Sequence, residues 1–290
     1  MNMLVKNKVM KAAKIRLRVV LLAAIFACMI WGFKSLIFSN APHIFNDPKE
    51  DMSFAWYVPL FALYIVYREW KEIRSSLGDA SYLGMASTFF FLFIGFLGVR
   101  GIQVRFEMLS FIGLLVSLPW AFFGSKTARR ILFPAAYLLF CIPMASFLDV
   151  ITVHLRLFAT AIAEAVLHGV NAGVVRTGTM LAAADGSFAI DVAEPCSGLR
   201  SIFALMALTA GYAYFNQRSW SKRALLFACS VPLAIVGNVM RVLSICLVAS
   251  FASPSFASGF YHDYSGYVVF FVAILLMVVC GELISRLGRK

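Results

Sequence analysis

Three short stretches of an otherwise apolar chain carry side chains able to do covalent chemistry. The first is "AEPCSGLRS" (193–201). Pro195 suits the first turn of a helix, where its missing N–H is not needed, and Glu194 stands near the cap. Cys196 then falls in that first turn, among backbone N–H groups with no partner inside the helix. A thiol so placed feels the positive end of the helix dipole, which favours the thiolate. Arg200, four residues on, shares its face, and Ser197 and Gly198 lie between them. The plainer alternative is a helix cap with an incidental cysteine.

The second stretch, "GNVMRVLS" (237–244), sets Asn238 and Arg241 three residues apart on one helical face. An arginine inside an apolar helix is costly and by default marks function, although pairing with an acid or snorkelling to headgroups would also explain it. The third, "YHDYSGYVVF" (261–270), puts His262 and Asp263 at the start of a further apolar run. The other histidines differ in setting: His43 falls in a loop, and His154 and His168 fall in a polar-striped segment.

A thiol, an imidazole and a guanidinium are the parts of acyl transfer. The thiolate attacks a peptide carbonyl and forms a thioester. The imidazole protonates the departing amine and then deprotonates the acceptor. The guanidinium keeps its proton and steadies the oxyanion, worth about 3 kcal/mol for an ordinary oxyanion donor. Hydrolysis and transpeptidation use the same parts, so the acceptor is left open. Cys196 and His262 alone make too few ligands for a zinc site, and no cofactor is implied.

For these groups to meet, the elements carrying them must bring them to one side of a membrane. The chain has 290 residues, 61% hydrophobic and 14% charged, with 28 Phe and a mean hydropathy of +0.85. A soluble domain would be nearer half apolar and a quarter charged. Apolar segments near 19–38, 52–67, 81–99, 106–124, 131–148, 196–215, 224–250 and 264–285 predict about eight spanning helices. The basic start followed by "VVLLAAIFACMIW" is read as a retained helix, since no small-x-small cleavage site follows. Of the 26 Lys and Arg, 18 fall on the side of the N-terminus, five on the other, and Lys34, Arg200 and Arg241 within helices. This bias predicts a multi-pass protein of the cytoplasmic membrane with both termini inside and Cys196, Arg241 and His262 toward the outside. The net charge of +12 is thus spread over helix ends, not gathered into a nucleic-acid surface.

Two segments break the pattern. In 149–170, Thr152, Arg156, Thr160, Glu164 and His168 recur every four residues, which predicts an amphipathic helix at the outer surface or over a polar cavity. In 174–192, an Asp185-Gly186 turn between two short runs rich in Val, Thr, Phe and Ile predicts a β-hairpin. The expected architecture is one all-α polytopic membrane domain over 1–290 with an extracytoplasmic insert at about 149–195. Of the six cysteines none forms a CxxC pair, and the five other than Cys196 lie in apolar runs, where free Cys behaves as a small hydrophobe.

In "EPCSGLRS", "NVMR" and "HDYSGYVVF", taken in order and with their membrane side, the chain resembles the exosortase/archaeosortase family of polytopic membrane cysteine proteases and transpeptidases. The resemblance implies Cys196 as nucleophile, His262 as acid/base and Arg241 as oxyanion partner. It implies membrane-anchored substrates with a C-terminal sorting signal of the PEP-CTERM kind: a short Pro-containing motif, one helix and a basic tail. With no soluble domain after the last helix, the chain resembles the short form of the family. The hairpin could hold the substrate flank by strand addition, with Glu164, Asp185, Asp191, Glu194 and Asp263 as candidate contacts. Two other classes fit parts of the pattern: a transporter, with Arg241 and the polar stripe lining a path, and an envelope or polysaccharide-assembly protein with an inert cysteine.

Overall fold

A computed structural model describes residues 3–47, 50, 52–191 and 199–287. It divides into two compact units, Met1–Pro143 and Met144–Lys290. Among the described residues the first unit holds seven α-helices: α1 (Met3–Gly32), α2 (Ala41–Asn46), α3 (Tyr57–Arg68), α4 (Trp70–Ser75), α5 (Tyr82–Gly101), α6 (Val104–Phe123) and α7 (Ser125–Tyr137). Its centre is the antiparallel pair α5 and α6. Ser81 caps α5 by accepting the N–H of Gly84, and the left-handed Ile102 turns the chain into α6. A Cβ at Gly84 would overlap the backbone of Ala121, so the two helices meet main chain to main chain there.

The second unit holds α8 (Ala145–Gly169), a three-stranded sheet, α9 (Leu199–Asn216), α10 (Trp220–Phe251), the short α11 (Pro254–Phe256) and α12 (His262–Arg286). Alternation of chain direction lets α9, α10 and α12 pack as neighbours around Ile202, Leu205, Ala234, Ala273 and Met277. At one end Gln217 Nε2 donates to the carbonyl of Gly281 (2.8 Å) and Lys222 Nζ to that of Ser285 (2.9 Å). The second bond also satisfies a last-turn carbonyl of α12, which lacks an intrahelical partner. The starts of α9 and α12 and the end of α10 therefore lie toward the opposite end. α10 has 32 residues, about 48 Å of helix, and exceeds an apolar layer of about 30 Å.

The sheet differs from the predicted hairpin. β1 (Val174–Thr177), β2 (Met180–Ala183) and β3 (Ala189–Asp191) form an antiparallel meander in the order β1-β2-β3. The Asp185-Gly186 turn joins β2 to β3, with Asp185 accepting the N–H of Ser187 (3.0 Å). The unexpected turn is Gly178-Thr179, a two-residue loop with φ 67° at Gly178. Glycine in first place is what a type II′ turn requires.

The amphipathic helix is present as α8, and the sheet covers part of its polar stripe. Thr160 is fully buried and donates to carbonyls of its own helix at 3.0 and 3.1 Å and to Gly178 at 3.4 Å. Beside it Ala159, Ala163 and Leu167 share a core with Val174, Leu181 and Phe188 of the sheet region and with Val242 and Cys246 of α10.

The fold is an all-α polytopic membrane fold with a small sheet. Among the described residues five helices are long and apolar enough to cross a membrane, within α1, α5, α6, α10 and α12. Of the other three predicted segments two are helical only in part, whereas in the third the described residues 199–215 are all helical. The 52–67 segment spends its start in a 3-10 turn and leaves the 12-residue α3. The 131–148 segment stops at Tyr137, followed by a 3-10 turn and an extended Ile142 before Pro143; a residue preceding proline is driven out of the helical region. The 196–215 segment contributes the 18 described residues of α9.

Candidate active site

Arg241 sits ten residues before the end of α10 and reaches across to the first turn of α12. Its Nη2 donates to the backbone carbonyl of His262 (3.2 Å) and its Nε to Ser265 Oγ (3.3 Å). Ser265, only 3% exposed, donates in turn to the same His262 carbonyl (3.0 Å). Three polar groups thus close a ring between two otherwise apolar helices. First-turn carbonyls of α12 would otherwise serve only their own helix; here that of His262 also accepts from a charged donor on α10.

The surroundings are small. A Cβ on Gly266 would come within 3.3 Å of Arg241 Cζ and 3.5 Å of Nε, so the guanidinium lies against bare backbone. Beside it a small recess of about 10 Å³, room for about one water, is lined by Ser201 of α9, Asn238 and Arg241 of α10, and Gly266 of α12. Asn238 is 9% exposed and shares the Arg241 face, as the spacing predicts.

The structure therefore brings Arg241, Asn238 and the backbone of His262 together, with the first turn of α9 beside them. Arg200 is exposed on that turn, while its neighbour Ser201 lines the recess. Asp263 lies on the first turn of α12. Cys196, Glu194, Ser197 and Gly198 lie outside the described residues; Cys196 precedes the first described residue of α9 by three positions.

Two of the acidic candidates in the insert, Glu164 and Asp185, have structural partners. Glu164 accepts from Arg176 twice, its Oε1 from the backbone N–H and its Oε2 from Nε, both at 3.0 Å. These bonds hold the Glu164 carboxyl below the usual carboxylate range. The first of them takes up the outward N–H of Arg176 on the edge of β1. The Ser187 amide likewise holds Asp185 below its ordinary value.

Sequence reasoning passed over Ser265, Gly266 and Ser201. A signal for the first two was present, because Ser265 stands one helical turn after His262, where a hydroxyl reaches the carbonyl three residues back.

Long apolar helices, one of them carrying a half-buried arginine fastened to a neighbouring helix, define a multi-pass membrane protein with a polar centre in its second unit. The family model for transmembrane exosortases matches residues 45–279. The chain belongs to the transmembrane exosortase family, whose members process sorting signals at membranes. No curated protein and no solved structure matches the chain.

Proposed function

We propose that the protein is a membrane-embedded cysteine endopeptidase or transpeptidase. It cleaves C-terminal sorting signals of the PEP-CTERM kind from secreted, membrane-anchored proteins at the outer face of the cytoplasmic membrane, from one membrane domain with both termini inside. Cys196 is the nucleophile, His262 the acid/base and Arg241 the oxyanion partner. The Cys196 sulfur attacks the scissile carbonyl carbon, the C–N bond breaks, and His262 delivers a proton to the departing amine. Water or an acceptor amine, deprotonated by His262, then attacks the thioester and releases the thiolate. Arg241 supplies fixed N–H donors as negative charge gathers on the carbonyl oxygen in both steps. Glu194, Ser197, Gly198, Arg200, Asn238 and Asp263 support the site or the substrate.

The observation that carries this reading is the Arg241 guanidinium fastened to the first turn of α12 at His262, inside the matched region of the chain. A transport path would need a mobile or hydrated cation, whereas this one is tied to backbone and a buried hydroxyl. The test is co-expression with a reporter bearing a Pro-containing motif, one membrane helix and a basic tail. Cys196→Ala is expected to abolish processing while leaving protein levels intact. Processing that continues without the thiol removes the catalytic reading.

A further inference from the structure

We propose that Ser265 is the positioning residue for Arg241, an inference resting on the role given to Arg241 above. A serine inside a helix commonly turns its hydroxyl back to a carbonyl one turn earlier. Ser265 does so toward His262 (3.0 Å). With its proton committed there, its lone pairs are left to accept, and the Arg241 Nε–H takes one of them at 3.3 Å. The Nη2–H bond to the His262 carbonyl at 3.2 Å supplies the second point. Two donors on different nitrogens of one planar group, held by acceptors on one helix turn, fix both the position and the plane of the guanidinium. Arg241 and the turn that carries the acid/base are thereby one rigid piece.

Gly266 completes the device. A Cβ there would sit slightly tight on Cζ of Arg241 at 3.3 Å and in ordinary contact with Nε and Nη2 at 3.5 Å, so atoms beyond it have little room over the plane that Ser265 sets. Catalysis by fixed donors depends on their being aimed before charge develops. Ser265 thus acts through Arg241 and not on substrate.

The experiment compares Ser265→Ala, Ser265→Thr and Ser265→Val in the full-length protein at matched membrane levels. The readout is processing rate on a reporter the parent enzyme cuts. Loss of a hydrogen bond to a charged group predicts that Ser265→Ala and Ser265→Val slow processing about 10- to 100-fold. Ser265→Thr keeps the hydroxyl and restores most of the rate. Ser285→Ala removes a hydroxyl bonded to Glu282 at the other end of α12 and leaves the rate unchanged. Thr and Val variants of equal rate, or a fully active Ser265→Ala, overturn the positioning role. Should Ser265→Ala not accumulate, the Thr–Val pair, nearly equal in shape, decides alone. Cys196→Ala in the same assay separates the two levels. If it is inactive while Ser265→Ala is fully active, only the positioning role fails. If it is active, the functional reading fails and this inference with it.

Discussion

The two units of the chain use polar groups in opposite ways. In the first, α5 and α6 fit by close backbone approach at Gly84, and Ser110 Oγ donates to the Phe91 carbonyl across the pair (2.7 Å). Other polar contacts there close turns: Thr127 to the Ser76 carbonyl (2.9 Å), Arg18 to the carbonyls of Gly78 and Phe122 (both 3.3 Å). In the second unit long side chains cross from one helix to another, Gln217 and Lys222 near one end and Arg241 toward the other. A helix pair in lipid needs only small residues and complementary shape to associate. A guanidinium inside an apolar helix adds cost that packing does not require, and the proposed function gives that cost a use.

The contrast breaks most decisively at Arg241. Arg241→Ala is expected to slow reporter processing about 10²- to 10³-fold, the usual loss for one oxyanion donor. Membrane levels and thermal stability in detergent should change far less than the rate. A variant that processes normally would make the arginine a structural anchor and put the two units on the same footing.

The counterpart in the first unit is Gly84→Ala. The added methyl would overlap the Ala121 backbone, and forcing an extra carbon into a filled interface costs about 1–3 kcal/mol. Thermal melting should fall accordingly, whereas processing per folded molecule should hold. Equal loss of stability and of specific activity would erase the distinction between packing and chemistry.

Much of this division could be read in the residue order. The apolar runs of α1, α5, α6, α10 and α12 are long and uninterrupted, so length alone reveals them. Asn238 and Arg241 fall on one face because a helix repeats every 3.6 residues, and they share the recess. What stayed hidden depends on partners distant in sequence. The stripe on α8 gave its period but not its cover, because Glu164 meets Arg176 only once the sheet folds back. The Gly178-Thr179 turn was missed because a glycine between threonines signals a turn less strongly than Asp-Gly. The shortness of α3 and α7 follows from local 3-10 turns and a following proline that hydropathy does not register. Ser265 stood in view beside His262, but its second bond, to Arg241, is a contact between two helices.

The smallest predicted effect sharpens the comparison inside the second unit, between its half-buried arginine ring and its surface ion pair. Arg176 donates to the Glu164 carboxylate first through its side chain and then through its backbone N–H, which lowers the carboxyl's pKa in the folded state. A lowered pKa contributes stability that is fully present above the unfolded value, about 4.3, and is lost as pH falls through the lower folded value. Protection of the 174–183 amides, corrected for intrinsic exchange, should therefore stay level from neutral pH to about 5 and decline below it. Glu164→Gln keeps one acceptor oxygen but no charge, so its protection should be modestly lower at neutral pH and lack the acid decline. Parent and variant profiles that coincide would show that the carboxylate does not hold the sheet. The pair matters beyond its own energy because β3 ends at Asp191, five positions before Cys196. Under the proposed function, the clamp between the sheet and α8 anchors the chain five residues ahead of Cys196, while Arg241 and Ser265 hold the turn of α12 that carries His262.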